Sequence, residues 1–259
     1  MTTKCTMFGI EVDAISMDTA AETLARWLES PRARCRYVVT PNVDHVVKLR
    51  NSPAFQAAYA GASMVLADGK PLVFASRMMG RALKETVPGS DLVPRLFHQA
   101  PSMHQPMRVF LLGAGPGVAE RAARIIAQRW LNVLVVGTYS PPFGFETLPS
   151  ECDRILDEIA AAEADLLIVG LGAPKQELWV HEYSARISAK VAICAGATID
   201  FIAGEKARAP VWMRRTGLEW LHRIVSEPRR LLRRYAHDAV VFPTVLVREL
   251  VSNAVARNK

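Results

Sequence analysis

The chain has 259 residues, of which 50% are hydrophobic and 22% are charged, and its formal net charge is +7 at pH 7. This composition is typical of a globular protein with a sizeable core and excludes an intrinsically disordered chain. No stretch reaches the roughly 18 consecutive apolar residues of a membrane-spanning helix. The first residues lack the basic and apolar regions of a secretory signal, so we expect the protein to fold in the cytoplasm.

Short apolar segments, many of them rich in β-branched residues, alternate with longer amphipathic segments in most of the chain. The predicted strands are Arg36–Thr40, Met64–Ala67, Arg108–Leu112, Val133–Gly137, Leu166–Gly170 and Val191–Ala195. The predicted helices are Asp18–Leu28, Val43–Leu49, Pro71–Met79, Pro116–Trp130, Glu151–Glu163 and Lys175–Ile187. Strands of nearly continuous apolar character are typical of a parallel sheet covered on both faces. The alternation therefore predicts an α/β fold with a doubly wound, mostly parallel Rossmann-like sheet.

The C-terminal segment differs from the rest of the chain, because residues 205–259 lack strand signals and are predicted to be helical. The predicted breaks between its helices are at Pro210, Pro228 and Pro243. We therefore divide the chain into an α/β domain, residues 1–204, and a helical appendage, residues 205–259. Nine basic and two acidic side chains between residues 206 and 234 account for the whole net charge of +7. Such a concentration indicates a partner with phosphate groups, which includes nucleic acid, anionic lipid and a diphosphate substrate.

Polar or glycine-rich residues follow all six predicted strands. In chain order they are Thr40 and Asn42, Asp68 and Gly69, Gly113–Gly117, Tyr139, Gln176 and Asp200. Ligands of doubly wound sheets bind beyond the carboxyl ends of the strands, so these residues are expected to form the rim of one site. In this interpretation Asp68 is a candidate general base. Simpler interpretations stay open, because Asp-Gly is a common turn dipeptide and Thr40 or Asn42 would cap a helix that starts at Val43.

The segment Gly113-Ala114-Gly115-Pro116-Gly117, between a strand and a helix, matches part of the dinucleotide-binding fingerprint. Val118 occupies the position of the last glycine, and the next strand ends without the acidic residue that would bind ribose. An oxidoreductase that binds NAD(P) is therefore only an alternative. The glycines instead indicate a close approach of the main chain to phosphate at a helix N-terminus. Tyr139 is a candidate for stacking on a nucleobase, with a simple rim aromatic as the other interpretation.

Cysteine and histidine spacing gives no indication of a metal site. The four cysteines lie far apart without a C-x-x-C pair, and the six histidines show no H-x-x-x-H spacing. We expect free thiols, no protein-bound metal and a structural role for His45.

The appendage carries arginines that are expected to share one helix face. Pro228 suits the first turn of a helix, and Arg230, Arg233 and Arg234 then lie on the same side. Further on, Thr244–Val255 has apolar residues at helical spacing, which suits a bilayer surface or a partner helix. A nucleic-acid-binding module that uses residues 206–234 is the second alternative.

Several motifs follow one another over most of the chain. They are TPN at 40–42, ADG-PLV at 67–73, GSDL at 89–92, FLLGAGPGVAE at 110–120, GLGAPKQE at 170–177, DFIAG at 200–204 and RAP-W…GLEWLHRIVSEPRRLLRRY at 208–235. In this order they resemble the motifs of the WecG/TagA/CpsF glycosyltransferases (family 26). The resemblance implies an inverting, metal-independent enzyme without a cofactor. Such an enzyme moves a hexose from a UDP-sugar to an undecaprenyl-diphosphate-linked sugar in cell-surface or exopolysaccharide biosynthesis. N-acetylmannosamine is the first expectation for the hexose, ahead of glucose and N-acetylmannosaminuronate.

The resemblance also implies partners and a location. Residues 1–204 would bind the UDP-sugar donor, and the basic appendage would dock on an anionic membrane surface at the cytoplasmic face of the plasma membrane. The lipid-diphosphate-linked sugar would be the acceptor, no nucleic acid is expected to bind, and a homo-oligomer is possible.

Residue roles follow from the same motifs. Asp68 matches the catalytic base. The residues that match the polar pocket around it are Thr40, Asn42 and Gln176. The residues that match the nucleotide site are Gly113, Ala114, Gly115, Gly117, Tyr139 and Asp200. The tail arginines that match contacts to the donor diphosphate are Arg223, Arg230 and Arg233.

One position departs from the family pattern. The family has E-R-V-x-G before S-D-L, whereas this chain has Thr86 in place of the arginine. We expect either Arg81 or the tail arginines to supply the missing positive charge.

Overall fold

The computed structural model of the protein describes residues 3–257, apart from the side chains of residues 215, 230 and 254–257. Within this range eight strands and twelve α-helices follow one another. The strands are β1 Lys4–Met7, β2 Ile10–Asp13, β3 Arg36–Val39, β4 Met64–Val65, β5 Met107–Gly113, β6 Val133–Tyr139, β7 Leu166–Gly170 and β8 Val191–Cys194. The helices are α1 Met17–Glu29, α2 Val43–Leu49, α3 Pro53–Ala60, α4 Lys70–Met78, α5 Gly89–Phe97, α6 Val118–Arg129, α7 Pro149–Ala161, α8 Lys175–Tyr183, α9 Thr198–Ile202, α10 Val211–Thr216, α11 Glu219–Ser226 and α12 Pro228–Arg257.

Of the strands in residues 3–257, six form one parallel sheet in the spatial order β4-β3-β8-β7-β5-β6. The register places Ile193 of the central strand β8 between Val38 of β3 and Ile168 of β7. All six predicted strands lie in this sheet, and none of their ends is shifted by more than two residues. The prediction of a doubly wound Rossmann-like sheet is confirmed.

Helices cover both faces of the sheet, and each layer has its own hydrophobic core. Helices α1, α5, α6 and α9 pack over the first core, which includes Leu24. Helices α2, α3, α4, α7 and α8 pack over the second, which includes Phe55. Neighbouring side chains of a strand point to opposite faces, so Val38 belongs to the first core and Val39 to the second.

The connections after the strands open a crevice at the carboxyl edge of the sheet. The chain leaves β5 and β8 toward the first layer, into α6 and α9. It leaves β3 and β7 toward the second layer, into α2 and α8. Because neighbouring strands send their connections to opposite faces, the loops diverge in the middle of this edge and leave room for a ligand.

The N-terminal hairpin β1–β2 is absent from the sequence-based prediction. Its turn consists of Phe8 and Gly9, with positive φ angles of 55° and 77°. Two consecutive residues with positive φ are typical of a type I′ hairpin turn, which usually contains Asn-Gly or Asp-Gly. Because Phe8 stands where asparagine or aspartate is usual, the sequence does not indicate a hairpin turn here. Helices α3 and α5 were also missed, and the predicted helix Lys175–Ile187 ends at Tyr183.

The last helix corrects one prediction. Pro210 and Pro228 lie at helix starts as predicted, but α12 continues through Pro243. Proline removes one main-chain hydrogen bond and normally bends or ends a helix. Here the residues on both sides pack on the α/β domain: the rings of Phe242 and Phe8 have centroids 5.7 Å apart, and Val245 is buried. This packing holds both halves of α12 against the domain.

Ion pairs attach the start of the appendage to α5. One carboxylate oxygen of Asp91 lies 2.6 Å from Arg208 and 3.1 Å from Arg214. Arg208 also donates a hydrogen bond to the hydroxyl of Ser90 at 3.1 Å. From there α11 and α12 cross the crevice, and α12 lies along α2. No helix between residues 3 and 257 combines the length and the apolar character needed to cross a bilayer.

Buried cysteines and His45 belong to the core. The four cysteines are buried free thiols, as predicted. His45 is buried in α2, with Nδ1 2.6 Å from the hydroxyl of Tyr59, and burial lowers its pKa to about 4. A neutral, hydrogen-bonded imidazole fits the structural role expected for it.

Candidate active site

Two adjoining cavities occupy the crevice. The large cavity, about 880 Å³, lies among the loops that follow β3, β5, β7 and β8 and is closed on one side by α11 and the start of α12. The small cavity, about 370 Å³, lies between the start of α4 and helices α11 and α12. The residues that line both cavities are Asn42, Asp44, Asp68, Arg223 and Arg234. The candidate general base therefore lies where the two cavities meet.

Asp68 is held firmly at this junction. Its main-chain N–H donates to the carbonyl of Pro41 at 2.8 Å. Gly69 follows with a φ of 115°, a conformation that favours glycine and lets the chain turn at once into α4. The Asp-Gly turn and the site interpretation thus describe the same local structure, because the turn is what leaves the carboxylate at the cleft.

The environment of Asp68 raises its pKa to about 6. Burial is the main cause, since a charged carboxylate is poorly solvated there, and the negative charges of Glu219 and Asp91 raise the pKa further. Arg223 and a hydrogen bond from Asn42 act in the opposite direction. A pKa close to neutrality leaves the carboxylate ionised at pH 7 and still basic enough to accept a proton.

Asn42 combines the two roles that the sequence left open. Its side-chain oxygen caps α2 by accepting the N–H of His45 at 3.3 Å, and the same side chain lowers the pKa of the neighbouring Asp68. Thr40 is buried and donates to the carbonyl of Cys194 at 3.4 Å. Both residues line the large cavity.

Gln176 joins two strand exits. Its Nε2 donates to Glu177 at 2.7 Å, and its Oε1 accepts the N–H of Gly196 at 3.2 Å. Glu177 is completely buried, and burial raises its pKa to about 7. Since Gln176 lines the large cavity, its amide orientation there is fixed by these two bonds.

The glycine-rich loop contributes only its middle to the large cavity. Ala114 and Gly115 line it, whereas Gly113 and Gly117 do not. Gly113 is needed for packing, because a Cβ added there would lie 2.5 Å from the carbonyl oxygen of Gly170. Gly117 has a left-handed conformation at the start of α6.

Of the two other residues predicted for the nucleotide site, Asp200 lines the large cavity and Tyr139 does not. Asp200 lines the large cavity and forms an ion pair with Lys206 at 3.6 Å. Tyr139 does not line it: its hydroxyl donates to Glu151, and the guanidinium of Arg154 lies 5.2 Å from its ring. The aromatic residues that do line the large cavity are Phe143, Phe145 and Phe201, of which Phe143 is fully exposed.

The arginines of the appendage are divided in the same way. Arg223 of α11 lines both cavities, lies 3.1 Å from Glu219 and is 5.6 Å from the ring of Phe201. Arg233 is exposed and lines neither cavity, whereas its neighbour Arg234 lines both. The side chain of Arg230 lies outside the described residues.

Arg81 does not compensate for Thr86. Thr86 lines the small cavity, but Arg81 donates to the carbonyl of Thr6 in the N-terminal hairpin at 2.6 Å. The arginines that line the small cavity are Arg214, Arg223 and Arg234. Of the two expected sources of positive charge, only the appendage supplies it there.

Comparison with protein-family models gives a match to the description "Glycosyl transferase WecG/TagA/CpsF family" over residues 5–255. The chain belongs to this family. Among its relatives is the N-acetylglucosaminyldiphosphoundecaprenol N-acetyl-beta-D-mannosaminyltransferase of Staphylococcus aureus strain MRSA252, 28% identical over 230 residues, which cover 89% of this chain and 87% of the relative. The protein of the same description from strain MW2 has the same identity and coverage.

This glycosyltransferase of the WecG/TagA/CpsF family has site residues that sequence reasoning missed. Asp44 and Arg234, 3.9 Å apart, line both cavities and connect α2 with α12. Asp91 holds two arginines of the appendage and also lines the small cavity. Asp91 lies within the GSDL motif, so a motif match marked the residue without indicating what it contacts.

Proposed function

We propose that the protein transfers a hexose from a UDP-sugar to the sugar of an undecaprenyl-diphosphate-linked acceptor, with inversion at the anomeric carbon. The observation that carries the proposal is the position of Asp68 between two cavities, with a pKa of about 6. N-acetylmannosamine is the proposed hexose, since the Staphylococcus aureus relatives are described as N-acetylmannosaminyltransferases. UDP-glucose and UDP-N-acetylmannosaminuronate are the alternative donors.

In this mechanism Asp68 accepts the proton of the acceptor hydroxyl. The hydroxyl oxygen forms a bond to the anomeric carbon of the donor, while the bond from that carbon to the diphosphate breaks and UDP leaves. One displacement inverts the anomeric centre. Asn42, whose side chain lowers the pKa of Asp68, orients the carboxylate.

Negative charge develops on the departing diphosphate, and groups at the large cavity stabilise it. Arg223 lies beside Asp68, and the main chain at Ala114 and Gly115 lines the same cavity. A preorganised donor of this kind contributes roughly 3–4 kcal/mol to the transition state. These groups support a mechanism that does not depend on a metal ion, with the donor nucleotide in the large cavity near Thr40, Gln176 and Asp200.

Residues 205–259 are proposed to act as a unit that closes the site and docks on an anionic membrane at the cytoplasmic face. Exposed apolar side chains support this role. They include Trp212 of α10, Val225 of α11, and Val240, Val247 and Val251 of α12. Apolar side chains beside a concentration of arginines are suited to the interface of an anionic bilayer.

The direct test is a transfer assay with purified protein, a lipid-diphosphate-linked N-acetylglucosamine and each of the three UDP-sugars in turn. We expect transfer from UDP-N-acetylmannosamine, a β-linked product by NMR, and unchanged activity with excess EDTA. An α-linked product contradicts the single displacement, and loss of activity with EDTA contradicts metal independence. Protection against thermal unfolding by UDP, but not by NADH, separates the proposal from the oxidoreductase alternative.

A further inference from the structure

The small cavity has properties that the donor does not require. At about 370 Å³ it is within the usual range for small-molecule sites, roughly 300–1,000 Å³. It adjoins Asp68 from the side of α4 and α12, away from the loops that line the large cavity. Its lining includes the aromatic residues Trp220, Tyr235 and Phe242, and the rings of Trp220 and Tyr235 have centroids 6.3 Å apart.

One carboxylate in this wall lacks hydrogen-bond partners. Asp238 of α12 lines the small cavity and is only 3% exposed. Neither of its oxygens has a hydrogen-bond partner among the described residues, and Nδ1 of His237 is 3.8 Å from one of them. Burial, followed by the nearby charge of Asp44, raises the pKa of Asp238, while Arg234, His237 and Lys48 act against this. Buried polar groups almost always have partners, so an unpaired carboxylate on a residue that lines a cavity indicates a donor supplied by a ligand.

We propose that the small cavity binds the sugar of the acceptor and that Asp238 accepts a hydrogen bond from one of its hydroxyl or amide groups. This inference rests on the proposed function. A pyranose has several O–H donors for a carboxylate and an apolar C–H face for aromatic rings, and the small cavity offers both partners. Lys70 and Arg214 also line it and can contact the diphosphate of the acceptor.

The position of the small cavity relative to the proposed donor site agrees with an inverting displacement. In an inverting displacement the nucleophile approaches the anomeric carbon from the face opposite the leaving group. A donor in the large cavity and an acceptor sugar in the small cavity would meet at Asp68, which lines both. Asp238 is thus assigned to acceptor recognition, at a distance from the departing nucleotide.

The test is steady-state kinetics of Asp238→Asn with a short-chain lipid-diphosphate N-acetylglucosamine as the acceptor. Loss of a hydrogen bond to a charged group is expected to raise the acceptor KM by about 10-fold to 100-fold. The KM for the UDP-sugar and the affinity for UDP in calorimetry are expected to stay within about twofold. Glu249→Gln is the matched control, since it removes a carboxylate of the same helix that lines neither cavity.

Three results would overturn the inference. The first is an unchanged acceptor KM in folded Asp238→Asn, and the second is an equal rise in both KM values. The third is an unchanged acceptor KM in Ala239→Leu, which narrows the small cavity without touching a charge. If the unaltered protein neither transfers a hexose nor binds UDP, the proposed function fails and the inference fails with it. If the unaltered protein transfers the hexose normally and Asp238→Asn leaves the acceptor KM unchanged, only the inference fails and the proposed function stands.

Discussion

The two sides of the cleft are held in place by different interactions. On the sheet side, Thr40, Asn42 and Asp68 follow strands whose main chains are fixed by hydrogen bonds along the parallel sheet. On the appendage side, Arg223 and Arg234 belong to helices that attach through ion pairs and through packing on α2. The sheet side is therefore held by main-chain hydrogen bonds, whereas the appendage side is held by contacts between side chains.

The two sides also divide the chemistry. The sheet side supplies the carboxylate of Asp68, and the appendage supplies most of the cations around it. The appendage side affects the sheet side, because Arg223 lowers the pKa of Asp68 while burial, the larger effect, raises it. If the appendage docks on a membrane as proposed above, docking would affect the cations of α11 and α12 while the sheet keeps the base in place.

The largest effect is expected at the sheet side, from Asp68→Asn. Loss of a general base lowers kcat/KM by about 10²–10⁴-fold.

The Asp68→Asn substitution is also expected to stabilise the folded protein. The pKa of Asp68 in the folded protein, about 6, lies above its usual 3.8, so keeping this group charged costs stability as pH rises from about 4 to 6. Above pH 6 the cost is complete, up to roughly 3 kcal/mol, and asparagine removes it.

Transfer assays and thermal unfolding at pH 7.5 check this prediction together. Asp157→Asn, an exposed aspartate of α7, is the control and should change neither quantity. Near-normal turnover of folded Asp68→Asn would remove this residue as the base.

Arg223→Ala tests the appendage side of the comparison. Removal of one preorganised donor is expected to lower kcat by about 10²–10³-fold, because the charge on the departing UDP loses its partner. Arg229→Ala, an exposed arginine of α12 that lines neither cavity, is the matched control. Equal losses in both variants would show that the total charge of the appendage matters rather than the position of Arg223.

The pH dependence of kcat/KM links the two sides. The base must be ionised, so activity is expected to fall about tenfold per pH unit below a midpoint near 6. In Arg223→Ala the midpoint should move to higher pH, because the arginine that lowers the pKa of Asp68 is gone. A midpoint near 4 in the unaltered protein, or no movement in the variant, would separate Asp68 from the reaction or from Arg223.

The sequence predicted the two sides unequally well. Parallel strands buried on both faces have continuous apolar patterns, so the sheet and the polar residues at its carboxyl edge were predictable. The contacts of the appendage were not, because helical spacing relates Arg230, Arg233 and Arg234 only to one another. Which of them faces the cleft depends on how α12 packs on α2; of the two whose side chains are described, Arg234 faces it and Arg233 does not. The contacts of Tyr139, at the end of β6, could not be predicted from the sequence either, because its hydrogen bond to Glu151 depends on where α7 packs.

The smallest effect is expected from Asp91→Ala, which removes the anchor shared by Arg208 and Arg214. Because the sheet does not depend on this anchor, the fold should persist while the appendage detaches more often. Limited proteolysis within residues 205–227 should become faster, and activity should fall by about tenfold or less. Asp18→Ala, which breaks an exposed ion pair with Arg95, is the control, since such pairs contribute only about 0–1 kcal/mol. If Asp91→Ala instead unfolds the whole protein cooperatively, the start of the appendage and the sheet are not held independently, and the contrast between the two sides of the cleft is wrong.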